Sequence, residues 1–299
     1  MRNQILFIGN GLNRIIDTDD KKYFEPEYLL SQIFKNYYTE QKKQKNTEID
    51  FAFLFDTLFN RFLNGKYDSF YNILINNLKD YFNLLEKEGN MKIIREFSKE
   101  LFSFININDY DAIFTTNYDN NLHGIFGKVL KGKSFGRQGI YKYIDEDKKC
   151  SIVHLHGDVL EPQHKICAGY RAYTKLVKRI YSNIKLGNYK DDYKKEDFIK
   201  ELEKLPEWAR VFFTHDIHII GYSLSKYERD IWSLLTVRSF IKRKYNYIEN
   251  HIYFYDKCEN NSDLIYFDIE CPKFNNNSNE KNYKQFYKEV FKYLGEKSL

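Results

Sequence analysis

The sequence predicts an α/β fold: a mostly parallel, six-stranded sheet with a large helical insertion after its first strand. Three observations lead there. Six short apolar runs punctuate the chain, most of them apolar without alternation, as strands buried on both faces of a parallel sheet should be. Several of these runs end in Gly, Asn, Asp or His, the residue types found where a chain turns over the carboxyl edge of such a sheet. Between the first two runs, residues 20–105 follow helical rather than strand spacing.

The first strand, Ile5–Ile8, breaks into Gly9-Asn10-Gly11-Leu12-Asn13-Arg14. Glycines there permit a tight turn and close approach of a pyrophosphate, while the N–H groups opening the next helix form an anion site. Without a third glycine the segment reads equally well as a structural turn. Residues 20–105 carry helical patterns such as Phe51, Leu54, Phe55, Leu58 and Phe62, then Ile93, Phe97 and Leu101. They read as a helical cap over one end of the sheet, inserted into a core of residues 1–19 and 106–299.

The second strand, Ala112–Thr115, delivers Thr116-Asn117-Tyr118-Asp119 at its carboxyl end. The Asn117 amide offers both donor and acceptor to a ribose hydroxyl or a water, and Asp119 either braces the loop or binds a hydroxyl. The third strand, Ile152–Leu155, lies in Val153-His154-Leu155-His156-Gly157-Asp158. Strand alternation puts His154 and His156 on one side, with His156 at the edge as a natural general base near neutral pH. Helical patterns follow at Thr174–Ile184 and Glu196–Phe213, separated by the polar loop Lys185–Lys195.

The fourth strand, His218–Ile220, runs into Gly221-Tyr222-Ser223-Leu224, where Gly221 and the Ser223 hydroxyl suit phosphate or ribose oxygens. Tyr227–Arg243 is a crossover helix, and the fifth strand, Ile252–Tyr255, ends at Asp256, a ribose contact or a solvated turn residue. Leu264–Phe267 is the sixth strand and Asn275–Asn279 a loop. The helix Tyr283–Leu294 docks Phe286, Val290, Phe291 and Leu294 on the sheet. This succession is Rossmann-type.

Composition narrows the function. The 26 Tyr and 25 Phe recur at helical spacing and read as core packing, so direct nucleic-acid binding is not expected. The net charge of +5 comes from scattered Lys and Arg rather than a basic block. Cys150, Cys167, Cys258 and Cys271 form no C-x-x-C pair, and the set His154, Asp158 and His164 matches no established ligand spacing, so no metal is expected. Scattered thiols fit a reducing cytoplasm, and no apolar stretch reaches the length of a signal core or membrane span, which predicts a soluble cytoplasmic protein.

Taken in order, Gly9-Asn10-Gly11, Thr116-Asn117-Tyr118-Asp119, Leu155-His156-Gly157 and Gly221-Tyr222-Ser223-Leu224 resemble the motif series of the sirtuin (silent information regulator) superfamily. The resemblance implies NAD as substrate and a nicotinamide-ribose site flanked by Asn117 and His156 as catalytic residues. It further implies that Gly9, Asn10, Gly11, Thr116, Gly221 and Ser223 line the NAD site, and Asp119 matches the family's acidic residue after the asparagine; Asn13 in the first turn and Asp256 at the fifth strand's end are expected to bind the nucleotide with them. The zinc-binding cysteine pairs of deacylating sirtuins are absent, the usual alanine of their Gly-Ala-Gly is Asn10, and their Asp-Phe-Arg stretch has no counterpart. The chain is therefore more similar to bacterial sirtuin-like effector domains of anti-phage defence, which lack the zinc module and hydrolyse NAD. That resemblance implies an NAD glycohydrolase that depletes NAD in abortive infection, gated by homo-oligomerisation or a regulatory partner. A zinc-free deacylase or ADP-ribosyltransferase and a non-catalytic nucleotide-sensing module are the alternatives.

Overall fold

A computed structural model describes residues 3–17, 23–24, 26–33, 55–56, 60, 67–125, 130–131, 141–144, 150–159, 166–167, 169–184, 193–222, 224, 228–255, 262–274 and 283–297. Of the residues named above, Phe51, Leu54, Leu58, Phe62, His164, Ser223, Asp256, Cys258 and the Asn-rich run lie outside the described residues, as does most of the Lys185–Lys195 stretch.

Six parallel strands form the centre of the sheet: β1 (Gln4–Ile8), β2 (Ala112–Thr115), β5 (Ser151–His154), β6 (Asp216–Ile220), β7 (Ile252–Tyr255) and β8 (Ile269–Glu270). The hairpin β3 (Leu130–Lys131) and β4 (Tyr141–Ile144) adds two antiparallel strands beyond β5. The full order is β3-β4-β5-β2-β1-β6-β7-β8. Counted in chain order, the parallel strands stand 3-2-1-4-5-6, the doubly wound arrangement whose direction reverses between β1 and β6. The expected Rossmann-type sheet is therefore present.

Period-two alternation explains why these strands read as continuous apolar runs. Ile5, Phe7, Phe114, Val153, Ile217, Ile219 and Phe254 enter one core cluster, while Leu6, Ile8, Ile113, Ile152 and Ile220 enter the other. The first face is covered by helices α4 (Tyr170–Asn183), α5 (Lys195–Leu202), α6 (Glu207–Thr214) and α7 (Arg229–Tyr245). The second is covered by α3 (Asn90–Phe102) and α8 (Tyr283–Lys297), with Phe286, Val290, Phe291 and Leu294 docked as their spacing predicts.

Helices α1 (Pro26–Ile33) and α2 (Tyr67–Lys87) belong to a third cluster with Phe24, Phe55, Phe70, Leu74 and Leu78. Val159 and Ile166, from the segment after β5, are buried in it too. Helix α3 divides its apolar face: Met91 and Ile94 join that third cluster, Phe97 and Leu101 the sheet.

Three elements differ from expectation. Leu264–Phe267 is not a strand but part of a 3-10 turn, Ser262–Phe267, and the sixth parallel strand is Ile269–Glu270. Ile265 and Tyr266 are exposed at 68% and 65%, and Asp268 at φ 54° reverses the chain, so the apolar run never lies in the sheet. Glu196–Phe213 is two helices, because Pro206 has no N–H to donate and restricts the residue before it. The β3–β4 hairpin has no counterpart in the apolar pattern, being short and carrying Lys131 and Lys142.

Candidate active site

Register builds the site. Ile8 pairs with Thr115 and with Ile220, and Thr115 with His154, so the four turns that follow these strands meet at one edge of the sheet. That edge holds the carboxyl ends of the strands, at the point where strand order reverses, where ligands of doubly wound sheets bind.

The glycine turn is explained largely by packing. Gly9 N–H donates to the Ile220 carbonyl at 2.9 Å and Gly11 N–H to that of Gly221 at 2.6 Å, stitching the turns after β1 and β6 together. A side chain on Gly11 would stand 2.5 Å from the Tyr287 hydroxyl and 2.7 Å from the Gly221 carbonyl oxygen. Gly221 itself adopts φ 64°, a left-handed conformation that glycine takes without penalty. The Gly11 N–H, expected at an anion site, is thus already committed.

Asn10, Asn13 and Asp119 brace the loop floor. Asn10 Nδ2 donates to the Phe24 carbonyl at 2.7 Å, and Asn13 Nδ2 to Asp119 Oδ2 at 2.6 Å. Asp119 Oδ1 accepts the Asn121 N–H at 2.9 Å, and Asn121 Nδ2 returns to Asn13 Oδ1 at 3.2 Å. Burial pushes the Asp119 carboxyl up, with the Asn121 N–H, His154 and Asn13 opposing. Thr116 is buried in the same turn.

Asn117 is 8% exposed; its Nδ2 donates to the Gly9 carbonyl at 3.4 Å, and its Oδ1 has no hydrogen-bond partner among the described residues. Its carbonyl accepts from His154 Nδ1 at 2.8 Å, and His154 Nε2 faces His123 Nε2 at 2.9 Å. Burial, then His154, lowers His123 to about 3.

His156 meets quite different partners from His154. Strand β5 ends at His154, and a turn closed by Gly157 at φ 83° redirects His156, so alternation no longer holds the two rings on one side. His156 Nε2 lies 3.0 Å from Asp230 Oδ2, with the two side chains 2% and 0% exposed. Burial alone lowers its basicity, but the charge and hydrogen bond of Asp230, with Glu228, outweigh that and raise it. The Tyr173 ring lies 5.1 Å from the imidazole, centroid to centroid. Tyr118 donates to the Cys167 carbonyl at 3.2 Å, and Cys167 N–H to the His156 carbonyl at 2.8 Å.

Glu228, Asp230 and Tyr173 are not picked out from the sequence, and Tyr222 stands in the Gly221 motif without a role. Asp230 is the second residue of α7, and burial pushes Glu228 up to about 7, with His156 pulling the other way. Around this edge, Asn117 Oδ1, Asn121 Oδ1 and Asp230 Oδ1 are buried with no hydrogen-bond partner among the described residues, while the Tyr222 hydroxyl and the Glu228 carboxyl interact with each other, although neither Tyr222 Oη nor Glu228 Oε2 makes a bond of ordinary length. Buried polar atoms are ordinarily satisfied, so such a set at a sheet edge marks a place where a ligand or water completes the bonding. The signal that could have found them is the acidic start of the crossover helix directly after the Gly221 turn, since a buried histidine base needs an acidic neighbour.

Comparison with known proteins agrees with this geometry. A family model described as SIR2-like domain matches residues 111–264, more than half of the chain and spanning Asn117, His156, Gly221 and Asp230. No curated protein matches the chain. No helix among the described residues is long and apolar enough to cross a membrane.

Proposed function

The chain belongs to the SIR2-like domain family, which ties it to an NAD-related function, and within that family we propose that it is an NAD glycohydrolase using water as acceptor. The observation that carries this reading is the pair of unpartnered buried oxygens, Asn117 Oδ1 and Asp230 Oδ1, at the carboxyl edge of the sheet, Asp230 being the partner of His156. They belong to an amide carbonyl and a carboxyl group and accept hydrogen bonds, and the Glu228 carboxyl stands beside them. An acceptor-rich sheet edge suits a ligand that brings donors and positive charge: ribose hydroxyls, a carboxamide and the cationic nicotinamide ring.

Cleavage sends the electron pair of the nicotinamide–ribose bond to the departing nicotinamide nitrogen and leaves positive charge on the ribose. Carboxylates of Asp230 and Glu228 near that charge stabilise it more in the transition state than in the ground state. Asn117 Oδ1 accepts from a ribose hydroxyl or the attacking water and orients it. His156 takes the proton released as water attacks the sugar carbon. With no cysteine pairs for a zinc module, water rather than acyl-lysine is the acceptor in this reading.

The helical segment within residues 20–105 serves in this proposal as a cap, because its core cluster reaches Val159 and Ile166 in the segment after His156. A trigger acting there, through a second copy of the chain or a regulatory partner, would control an activity that depletes cellular NAD, as abortive anti-phage defence requires. Incubation with NAD alone tests the reading. Release of nicotinamide and ADP-ribose, lost in Asn117→Ala and His156→Ala, is expected. Dependence on an acylated peptide, or binding without turnover, would overturn it.

A further inference from the structure

We propose that Asp230 is a positioning residue that holds His156 as its Nε2–H tautomer and makes Nδ1 the nitrogen that exchanges protons with substrate. The catalytic half of this rests on the NAD-cleaving reading above; the tautomer does not. A carboxylate oxygen only accepts, so at 3.0 Å the proton between Asp230 Oδ2 and His156 Nε2 belongs to the imidazole. The remaining nitrogen, Nδ1, then carries the lone pair. Asp230 is held for this task in the first turn of α7, where helix N-terminal amides favour a negative charge.

The surroundings keep the arrangement fixed. Tyr173 packs against the imidazole from α4, and the Cys167 N–H anchors the His156 carbonyl at 2.8 Å. The titratable groups around the ring are Asp230 and Glu228 at the start of α7, Tyr222 after β6, Tyr173 on α4, Tyr118 after β2, and Cys167. Burial pushes all three phenols and the thiol well above their ordinary values, so they are neutral near pH 7. The charges acting on His156 are therefore those of the two carboxyl groups. When Nδ1 takes a proton, Asp230 faces the resulting imidazolium and stabilises it.

Asparagine at position 230 preserves size but brings an N–H that can donate to Nε2, which would move the ring proton to Nδ1 and remove the accepting lone pair. The test uses the full chain labelled with ¹⁵N-histidine. Two-bond ¹⁵N–¹H correlation spectra report the tautomer and titration of each of the seven histidines, with His156 assigned by its loss in His156→Ala. Wild type should show His156 as Nε2–H in its neutral form. Asp230→Asn should show Nδ1–H and a midpoint moved to lower pH, and Asp230→Glu should keep the wild-type tautomer.

In NAD turnover, Asp230→Asn should lower kcat by on the order of 10²–10⁴-fold, with KM changed far less and the acid limb of the pH profile displaced downward. Asp230→Glu should recover part of kcat. An unchanged tautomer and midpoint in Asp230→Asn would overturn the positioning, and a flipped tautomer with wild-type kcat would overturn its catalytic use. Wild-type protein with the expected tautomer but no turnover would refute the glycohydrolase reading and the proton exchange, leaving the pairing standing.

Discussion

Replacing Gly9 by alanine separates two accounts of the glycine turn after β1. Gly9 has φ −91° and ψ −175°, an extended conformation open to any residue, so alanine meets no backbone strain there. The cost is contact. An ideal Cβ falls 2.5 Å from the Gly221 carbonyl oxygen and 2.5 Å from Tyr222 Cα, where carbon contacts settle near about 3.5–4 Å. Both atoms are backbone, so the turns after β1 and β6 must part by roughly 1 Å, straining the bond from Gly9 N–H to Ile220. Overpacking of this kind costs about 1–3 kcal/mol, and the reduced freedom of the unfolded alanine chain offsets about 0.4–1 kcal/mol of it. A net loss of about 1–2 kcal/mol corresponds to a melting temperature lower by about 2–8 °C. The same displacement carries the Gly9 carbonyl away from Asn117 Nδ2, now at 3.4 Å, so turnover should fall as well. Urea denaturation followed by tryptophan fluorescence, run beside calorimetric NAD binding, measures both. Wild-type stability with abolished NAD binding would refute this reasoning, since the glycine would then serve ligand approach and not the packing of two turns.

Three further outcomes are expected. Asn117→Ala should change stability by less than about 1 kcal/mol in urea denaturation, because Oδ1 has no partner to lose and Nδ2 only a long bond of 3.4 Å to the Gly9 carbonyl, yet lower turnover by on the order of 10²-fold. Asn13→Ala removes the 2.6 Å donor from buried Asp119 and the acceptor of Asn121 Nδ2, and should cost about 1–3 kcal/mol in the same assay. Burial holds His123 at about 3 and His218 at about 4, both below the ordinary histidine value. Their contribution is present in full above about pH 6.5 and is lost as pH falls toward 3–4, because the unfolded chain takes up the protons first. Unfolding free energy should therefore drop across that window, and His218→Phe, which keeps a ring between Tyr253 and Tyr255, should flatten the drop.

The parallel strands were legible because residues such as Ile5-Leu6-Phe7-Ile8 are buried on both faces and must all be apolar. Where burial is one-sided or absent the pattern misleads: Leu264 is buried, but Ile265 and Tyr266 face solvent in a 3-10 turn. The hairpin strands escaped notice because two paired residues at a sheet edge leave no periodic trace. Within the site, Asn117 and His156 stood out as polar groups at the ends of apolar strands. Glu228 and Asp230 did not, since acids at the N-cap and in the first turn of a helix are ordinarily explained by the helix dipole alone. Only the fold brings Asp230 across 74 positions of sequence to His156.

In the function proposed above, the buried acceptors of Asn117, Glu228 and Asp230 form the ribose-binding end of an NAD site. A crystal structure of the wild-type protein with ADP-ribose, the product the reaction would leave bound, tests it most directly. The terminal ribose should lie within hydrogen-bonding distance, about 2.5–3.0 Å, of Asn117 Oδ1 and of a carboxyl oxygen of Glu228 or Asp230. ADP-ribose seated away from this edge of the sheet, with those oxygens still unpartnered, would contradict it.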